Sequence, residues 1–261
     1  MLLAVDIGNT NTVAGLFEGD TIRAQVRLVS DREDPQVNLV APLWSWYRSQ
    51  LASLDEPPEV AVASVVPPLG KALRLFFENN LGVEPLFVSA AVNLPLALEF
   101  ADPSQVGADR ICNAVASRAL YHQPGKPLVV VDFGTATTFD ILNAAGDYVG
   151  GIICPGPRTA AGNLAVQAAQ LFDVEIEPPS NDSVIAKNTE DAIKAGMYYG
   201  TIGEIQYLLQ MIEMELGGEP TVLATGGLAT VINRHSGLFE TVDPDLTLTG
   251  IRLIYEYNRR N

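Results

Sequence analysis

Hydrophobic and polar positions follow the same order twice along the chain. An apolar run at residues 2–5 leads into the polar segment 6–12, and a second run at residues 128–131 leads into segment 132–138. Asp6 and Asp132 are 126 positions apart, close to half of the 261 residues. Each apolar run is followed by a second apolar segment and a glycine-containing turn, which together predict a β-hairpin. The chain is therefore predicted to contain two related halves.

Helical and parallel-strand patterns follow each hairpin. Apolar residues at helical spacing predict helices over residues 36–54, 69–80, 107–121, 189–216 and 246–258. Short apolar runs predict strands over residues 60–66, 84–89 and 220–224. Strands that alternate with helices are typical of an α/β fold. The segment 122–127, which contains Pro and Gly, is the best boundary, so we expect one α/β domain at 1–122 and a second at 123–261.

Composition excludes several classes of protein. A hydrophobic fraction of 48% against 18% charged residues predicts a large ordered core. The net charge of −15 repels phosphate backbones and anionic lipids, so neither nucleic acid nor a membrane is an expected partner. Cys112 and Cys154 are far apart and lack the spacing of a zinc site, which favours reduced thiols and a cytoplasmic location. No apolar run approaches the ~20 residues that span a bilayer.

The two Asp-x-Gly loops carry chemistry that suits a nucleotide. Asp6 and Asp132 each end an apolar strand, and the glycine two residues later, Gly8 or Gly134, permits a tight turn. Backbone N–H groups in such turns bind phosphate oxygens, and the carboxylate can hold a hydrated cation between phosphates. Two such loops that face each other would grip one nucleotide. A third strand leads into the diglycine of segment 225–227, which suits packing against adenine or ribose.

The segment 103–110 is the most informative local motif. Its sequence, Pro-Ser-Gln-Val-Gly-Ala-Asp-Arg, precedes and begins the predicted helix 107–121. A carboxylate in the first helical turn is stabilised by the helix dipole, and from there Asp109 can accept a proton from a substrate hydroxyl. Arg110 offers a planar guanidinium to a carboxylate or a phosphate. Taken alone, the motif is better explained as a charge pair at a helix start.

The loops and the diglycine together resemble the superfamily of acetate and sugar kinases, heat-shock chaperones and actin. Nearly the whole chain is similar, in order, to type III pantothenate kinases, through segments 6–12, 103–113, 130–138, 150–156, 187–190, 196–200 and 225–227. The Gly-Ala-Asp-Arg and Asp-x-Gly-Thr-Ala-Thr-Thr motifs are together more specific than either alone. The resemblance implies two duplicated actin-like (ribonuclease H-like) α/β domains with an interdomain nucleotide cleft.

The resemblance also implies an activity and the residues that perform it. Members of the family phosphorylate the primary hydroxyl of pantothenate with ATP to give 4′-phosphopantothenate, the first step of coenzyme A biosynthesis. By similarity, the ATP-binding residues are Asp6, Ile7, Gly8, Asn9, Thr10, Asn11, Thr12, Val13 and Thr135. The pantothenate-binding residues are Phe100, Gly107, Ala108, Asp109, Arg110 and Thr189, with Asp109 as the general base.

Metal ions and a partner subunit follow from the same resemblance. Asp6 would hold Mg²⁺ together with ATP, and Asp132 would hold the monovalent cation, K⁺ or NH₄⁺, that the family requires. Thr189 would reach pantothenate from across the interface of a homodimer. Many members have tyrosine three residues before the proline of the Gly-Ala-Asp-Arg motif, where this chain has Phe100. An aromatic wall would therefore be kept and one hydroxyl hydrogen bond lost, although Phe100 is about equally well explained as an aromatic residue of the core.

Two other functions stay open at this point. A kinase of the same superfamily with another small hydroxylated substrate would share the fold, and only the Gly-Ala-Asp-Arg and Lys-Asn-Thr segments favour pantothenate. A non-catalytic, nucleotide-binding accessory protein for transcription would need no base. The carboxylates of Asp6, Asp109 and Asp132 and the acidic net charge argue against that second function.

Overall fold

The computed structural model describes residues 1–50 and 58–260. Its strands are β1 (Leu2–Ile7), β2 (Asn11–Glu18), β3 (Thr21–Val29), β4 (Glu59–Ser64), β5 (Leu86–Phe87), β6 (Leu128–Phe133), β7 (Ala136–Leu142), β8 (Tyr148–Pro155), β9 (Thr221–Gly226) and β10 (Thr241–Val242). Its helices are α1 (Ala41–Ser49), α2 (Pro67–Leu81), α3 (Ala108–Tyr121), α4 (Pro157–Gln167), α5 (Thr189–Leu216), α6 (Ala229–Ser236) and α7 (Leu246–Arg260). Within the described residues, no helix combines the length and the apolar composition that a bilayer-spanning segment needs.

The chain forms two compact units. Unit 1 comprises Met1–Leu120 and Asp245–Asn261, and unit 2 comprises Tyr121–Pro244. The sequence-based division placed residues 123–261 in the second domain, but the structure assigns the C-terminal helix α7 to unit 1. The helix packs against β1, β2 and β4, because its apolar face needs a sheet to cover it. The buried apolar residues of that face are Leu246, Leu248, Ile251 and Ile254.

Unit 1 is built on a mixed sheet with the strand order β3-β2-β1-β4-β5. Strand β1 pairs antiparallel with β2 and parallel with β4. The strand is apolar up to Asp6 because both faces of the sheet are covered. One face packs on α1 and α2, around Leu43 and Phe77. On the other face, Leu248 of α7 lies against Gly15 of β2.

Unit 2 repeats this topology, with the strand order β8-β7-β6-β9-β10. The registers match as well, since Asp6 lies opposite Ala63 of β4 and Asp132 lies opposite Thr225 of β9. The core of this unit includes residues of the sheet, α5 and α6, with Tyr198 of α5 fully buried. The predicted duplication into two α/β halves is therefore confirmed.

Several elements differ from the sequence-based prediction. The predicted helix 36–54 is a π-helical turn, Gln36–Val40, followed by α1, and residues 51–54 of that prediction lie outside the described residues. The predicted strand 84–89 shortens to β5. The hydrophobic pattern does not reveal α4, because alanine, glycine and polar residues dominate it and leave little apolar periodicity. The short elements α6 and β10 are likewise absent from the prediction.

Candidate active site

The first Asp-x-Gly loop connects β1 to β2 in unit 1. Asp6 is the penultimate residue of β1, and the Gly8 N–H donates to the Asn11 carbonyl at 3.1 Å. A Cβ at position 8 would lie only 3.0 Å from that same carbonyl oxygen, so glycine fits the turn. Asn9 and Thr10 are exposed at its tip. A tight, exposed turn after a strand can bind phosphate oxygens through its backbone N–H groups.

Hydrogen bonds to the chain that follows β3 hold this loop in place. The Ser30 N–H donates to the Thr10 carbonyl at 3.0 Å, and the buried Thr12 and Ser30 hydroxyls lie 2.9 Å apart. Two further predicted ATP-binding residues, Ile7 and Val13, lie in β1 and β2 on either side of the loop. The protein itself therefore supplies bonds that connect the loop to the segment after β3.

Arg32 lies beside the first loop, a position that the sequence pattern does not reveal. Its guanidinium donates to the side-chain carbonyl of Asn9 at 2.6 Å. The pairing of β2 with β3 places Asn11 opposite Val29, so the chain that leaves β3 passes the loop. Only this strand pairing makes neighbours of two residues that are 23 positions apart. The cation supplies local positive potential in a protein whose net charge is −15.

Asp109 lies in the first turn of α3. Its Oδ1 accepts the backbone N–H of Arg110 at 2.8 Å. A Cβ at Gly107 would lie 2.5 Å from the same oxygen, so this side-chain position requires glycine two residues earlier. Burial raises the pKa of Asp109, although the N–H and the guanidinium of Arg110 oppose that rise. A raised carboxyl pKa is closer to the pH at which a general base is most effective.

The Cys112 thiol experiences the charges of both Asp6 and Asp109. Its side chain is fully buried one helical turn after Asp109. Burial raises the pKa of the thiol well above its usual range, and the carboxylates of Asp6 and Asp109 raise it further. Two carboxylates that are distant in sequence therefore act on one sulfur atom. The structure thus brings the end of β1 and the start of α3 together in unit 1.

Arg110, Ala108 and Phe100 complete the region around this motif. Ala108 begins α3, and Arg110 is buried, with 8% of its surface exposed. Phe100 is half-buried, shortly before a 3₁₀ turn at Pro103–Gln105. The guanidinium of Arg110 lies near enough to Asp109 to act on its pKa. A carboxylate and a guanidinium therefore share one end of α3, and these are groups that can bind a hydroxyl and an anion, respectively.

The second Asp-x-Gly loop, between β6 and β7 in unit 2, lies directly against the diglycine that ends β9. The Gly227 N–H donates to the Phe133 carbonyl at 3.1 Å. Gly226 has φ +86°, and a Cβ there would lie 2.6 Å from the Asp132 carboxylate. Glycine is required at this position because φ is in the left-handed region and a Cβ would also lie 2.6 Å from the backbone carbonyl oxygen of Phe133.

The start of α4 holds Thr135, the predicted ATP contact of the second loop. The Gly156 N–H donates to the Thr135 carbonyl at 3.1 Å, and the Thr159 hydroxyl donates to the same oxygen at 2.6 Å. The side chain of Thr135 stays exposed. The sequence pattern does not single out Thr159. The sequence does contain Gly156-Pro157 shortly before it, which could have indicated the start of a helix, since proline is common at the first helical position.

Thr189 is the first residue of α5 and is exposed on unit 2. Asn188 caps the helix by accepting the Asp191 N–H at 2.8 Å. Asp191 in turn accepts the N–H and the hydroxyl of Ser180, each at 3.0 Å. These bonds and one from Asn188 lower the pKa of Asp191. The segment that leads to Thr189 is therefore bonded to α5, and Thr189 itself is exposed.

Asp6 and Asp132 are the predicted cation ligands, and within the described residues neither belongs to a larger group of ligating side chains. In the part of the chain that the structure describes, no three His, Cys, Asp or Glu side chains group as a metal site. Mg²⁺ commonly binds through one or two carboxylates together with phosphate oxygens. Asp6 and Asp132 are therefore better suited to a cation that also has other ligands than to a metal bound by carboxylates alone.

Comparisons with solved structures identify the fold. MreB 5 of Spiroplasma citri bound to AMPPNP aligns with a TM-score of 0.58 at 10% identity, covering 100% of this chain and 97% of that chain. An activator of 2-hydroxyisocaproyl-CoA dehydratase from Clostridium difficile, with bound ADPNP, aligns with a TM-score of 0.56 at 14% identity, covering 99% of this chain and 96% of that chain. The predicted two-domain actin-like α/β fold is confirmed.

Comparisons of sequence identify the family. The family model described as type III pantothenate kinase matches residues 2–211. A curated type III pantothenate kinase from Moorella thermoacetica is 42% identical over 258 residues, which cover 99% of this chain and 100% of that protein. Because the family model matches most of the chain and this relative matches it from end to end, the chain belongs to the type III pantothenate kinase family.

Proposed function

We propose that this protein transfers the γ-phosphoryl group of ATP to the primary hydroxyl of pantothenate, the first step of coenzyme A biosynthesis. Family membership and the 42% identical Moorella relative support this activity. The main structural support is the placement of Asp109 and Arg110 at the start of α3, where the charges of Asp6 and Asp109 both act on the buried Cys112. A kinase for a small hydroxylated acid needs a base, an anion-binding group and a phosphate-binding loop near one another.

Asp109 is the proposed general base. Phosphoryl transfer depends mainly on positioning and charge neutralisation, so the base need only accept the hydroxyl proton as the oxygen attacks phosphorus. The bond between that oxygen and the γ-phosphorus forms, the bond from the γ-phosphorus to the bridging oxygen breaks, and ADP leaves. Burial raises the pKa of Asp109, which makes its carboxylate a stronger proton acceptor.

The other proposed contacts orient the two substrates. The backbone of residues 6–13 would bind ATP phosphates, and Thr135 would contact the nucleotide. Arg110 would pair with the carboxylate of pantothenate, because its planar guanidinium matches that group. Gly107 and Ala108 would line the same pocket, and Phe100 would supply an aromatic wall without a hydroxyl.

Two cations are part of the proposal. Asp6 would bind Mg²⁺ jointly with the ATP phosphates, and that ion would neutralise charge on the transferred group. Asp132 would bind a monovalent cation, K⁺ or NH₄⁺, through the carboxylate that lies beside Gly226. Carboxylate and carbonyl oxygens are suitable donors for such ions.

A homodimer formed through α5 is also proposed, with Thr189 of one subunit at the pantothenate site of the other. Exposed residues recur along α5 at intervals of three or four, which is the spacing of a helix–helix interface. These residues are Gly196, Gly200, Gly203, Tyr207, Met211 and Met214. Tyr207 is 62% and Met214 is 76% exposed, and contiguous apolar exposure of this kind marks interaction surfaces.

A coupled assay for ADP release tests the activity. With ATP, Mg²⁺ and K⁺, we expect pantothenate-dependent ADP formation and a product heavier by one phosphate. Turnover with another small hydroxylated metabolite, but not with pantothenate, would favour a different kinase of the same superfamily. Nucleotide binding without turnover would favour an accessory protein. Replacement of K⁺ by Na⁺ should lower the rate, and an unchanged rate would contradict the role of Asp132.

Light scattering after size-exclusion chromatography tests the shared site. Met211→Glu should give a monomer that no longer turns over pantothenate, because a charge is placed within the apolar α5 face. Glu213→Gln, an exposed change on the same helix but off that face, should keep both the dimer and the activity. A wild-type protein that is monomeric and fully active at the assay concentration would contradict the proposal for Thr189.

A further inference from the structure

The C-terminal helix α7 touches α3 one turn after Asp109, and the two backbones are in direct contact. An ideal Cβ on Gly250 would lie 2.1 Å from the carbonyl oxygen of Cys112 and 2.5 Å from its carbonyl carbon. Real Cβ atoms do not approach other atoms this closely, and a carbonyl inside a helix cannot rotate away without loss of its helical geometry. Only glycine at position 250 lets the two helices approach this closely.

A hydrogen bond fixes the same helix crossing. Thr247, about one turn before Gly250, donates its hydroxyl to Oδ1 of Asn113 at 2.8 Å. Asn113 is fully buried and directly follows Cys112. Residues three apart lie on one face of a helix, so a single face of α7 makes both contacts with α3. The crossing is therefore held by close packing and by a directional bond.

The same helix supports the strand that carries Asp6. Helix α7 packs against β1 along the sheet of unit 1. The carboxylates of Asp6 and Asp109 both act on Cys112, the residue that Gly250 touches. One helix, the last in the sequence, therefore contacts both elements that carry the charged groups of the candidate site.

We propose that Gly250 is a positioning residue for phosphoryl transfer: its contact with Cys112 sets the distance between α7 and α3, and thereby the place of the Asp109 carboxylate. This inference rests on the proposed role of Asp109 as the base. To restore the shortest ordinary contact of 3.4 Å, a Cβ at position 250 would have to move from the Cys112 carbonyl by about 1.3 Å. A misplacement of about 1 Å can cost an enzyme roughly 10²-fold in rate.

Gly250→Ala should therefore lower kcat by about 10- to 100-fold, with little change in KM for ATP. Gly162→Ala is the matched control, because Gly162 is a helical glycine in α4 with open space around its Cβ position. The same change at position 250 is then made in an Asp109→Asn background. It should have no further effect there, because Gly250 acts through the base. Equal fold losses in both backgrounds would indicate general damage and overturn the inference.

Thr247→Val covers the case in which Gly250→Ala does not fold. It removes the hydroxyl that Asn113 accepts and adds no bulk. We expect kcat to fall by about three- to tenfold, which corresponds to the loss of one hydrogen bond. Thr247→Ser, which keeps the hydroxyl, should restore the wild-type kcat. A folded Thr247→Val protein with the wild-type kcat would refute the positioning role.

The pKa of Asp109, followed by carbon-13 NMR, gives a readout that does not need turnover. In folded Thr247→Val this pKa should move towards the usual range of aspartate, because a displaced carboxyl is less buried. An unchanged pKa of Asp109 would refute the inference, whatever the substrate proves to be. If wild-type protein shows no turnover of pantothenate, the proposed function fails, and this measurement still decides the inference.

Discussion

Asparagine at position 109 removes a charge and a proton acceptor with almost no change of shape. The amide oxygen can still accept the Arg110 N–H, which lies 2.8 Å from Oδ1, so the start of α3 is kept. General-base catalysis typically contributes 10²–10⁴-fold, so kcat with pantothenate should fall by about that factor. The loss corresponds to about 3 to 5 kcal/mol of transition-state stabilisation.

The same substitution should not weaken the fold at neutral pH. Burial raises the pKa of Asp109 above its value in the unfolded chain, so the folded protein binds a proton at this site more tightly. Stability from this group is fully present below the unfolded pKa of about 4 and is lost as the pH rises through the higher folded pKa. Asp109→Asn should therefore unfold with an equal or larger free energy at neutral pH, and its advantage should shrink as the pH falls.

Chemical denaturation at several pH values, combined with the coupled assay, checks both statements. Asp102→Asn is the control, because Asp102 is exposed and its hydrogen bonds from Ser104 and Gln105 lower its pKa. Stability from Asp102 is present above its unfolded pKa and is lost as the pH falls through the folded one. Asp102→Asn should keep the wild-type activity and should have a lower free energy of unfolding than the wild type at neutral pH. Near-wild-type turnover of Asp109→Asn, or its destabilisation at neutral pH, would refute a buried base.

Three further variants or probes test the local geometry. Gly226→Ala should lower the free energy of unfolding by at least about 1 to 2 kcal/mol, because φ at this residue is +86°. Gly227→Ala, with open space around the new Cβ, should lower it by less. Equal losses would contradict the left-handed conformation of Gly226. Tyr198→Phe should cost about 1 to 3 kcal/mol in denaturation, since its hydroxyl donates to the Val231 carbonyl at 2.9 Å, and an unchanged midpoint would argue against that bond. The thiol of Cys112, whose pKa is raised by burial, should resist alkylation followed by mass spectrometry, and rapid labelling of folded protein would contradict its burial.

Elements with local signals at both ends could be predicted from the sequence. Helix α5 has the predicted bounds, because Asn188 accepts the Asp191 N–H at its start and Gly217, in the left-handed conformation, ends it. The two predicted hairpins are likewise specified locally, since the glycine-containing turns 18–20 and 145–147 close them. The residues Asp6, Asp109 and Asp132 could be chosen as site candidates because each lies at the end of a strand or at the start of a helix.

Features that depend on strand pairing or on helix docking could not be predicted. The amphipathic pattern of α7 indicates that one of its faces is buried, but not which sheet covers that face. Arg32 reaches Asn9 only because β3 pairs with β2, and Thr159 reaches Thr135 only because α4 follows β8 back to the second loop. No local signal marks Gly250 either, because glycine is needed there only to allow a backbone contact with a residue that is far away in sequence.

The two units place an aspartate at the same point and differ in the residue beside it. Ile7 pairs with Ser64 in unit 1, and Phe133 pairs with Gly226 in unit 2. Ser64 keeps a side chain, whose hydroxyl bonds locally to the backbone of Val66 at 3.2 Å. Gly226 has no side chain, and a Cβ there would lie 2.6 Å from the neighbouring carboxylate. Ala63 opposite Asp6 and Thr225 opposite Asp132 are a second difference. Since the topology is shared, these local differences are where the two proposed cation sites can diverge: Mg²⁺ at Asp6 would share phosphate oxygens, and the monovalent cation at Asp132 would lie where the protein backbone comes close to the carboxylate.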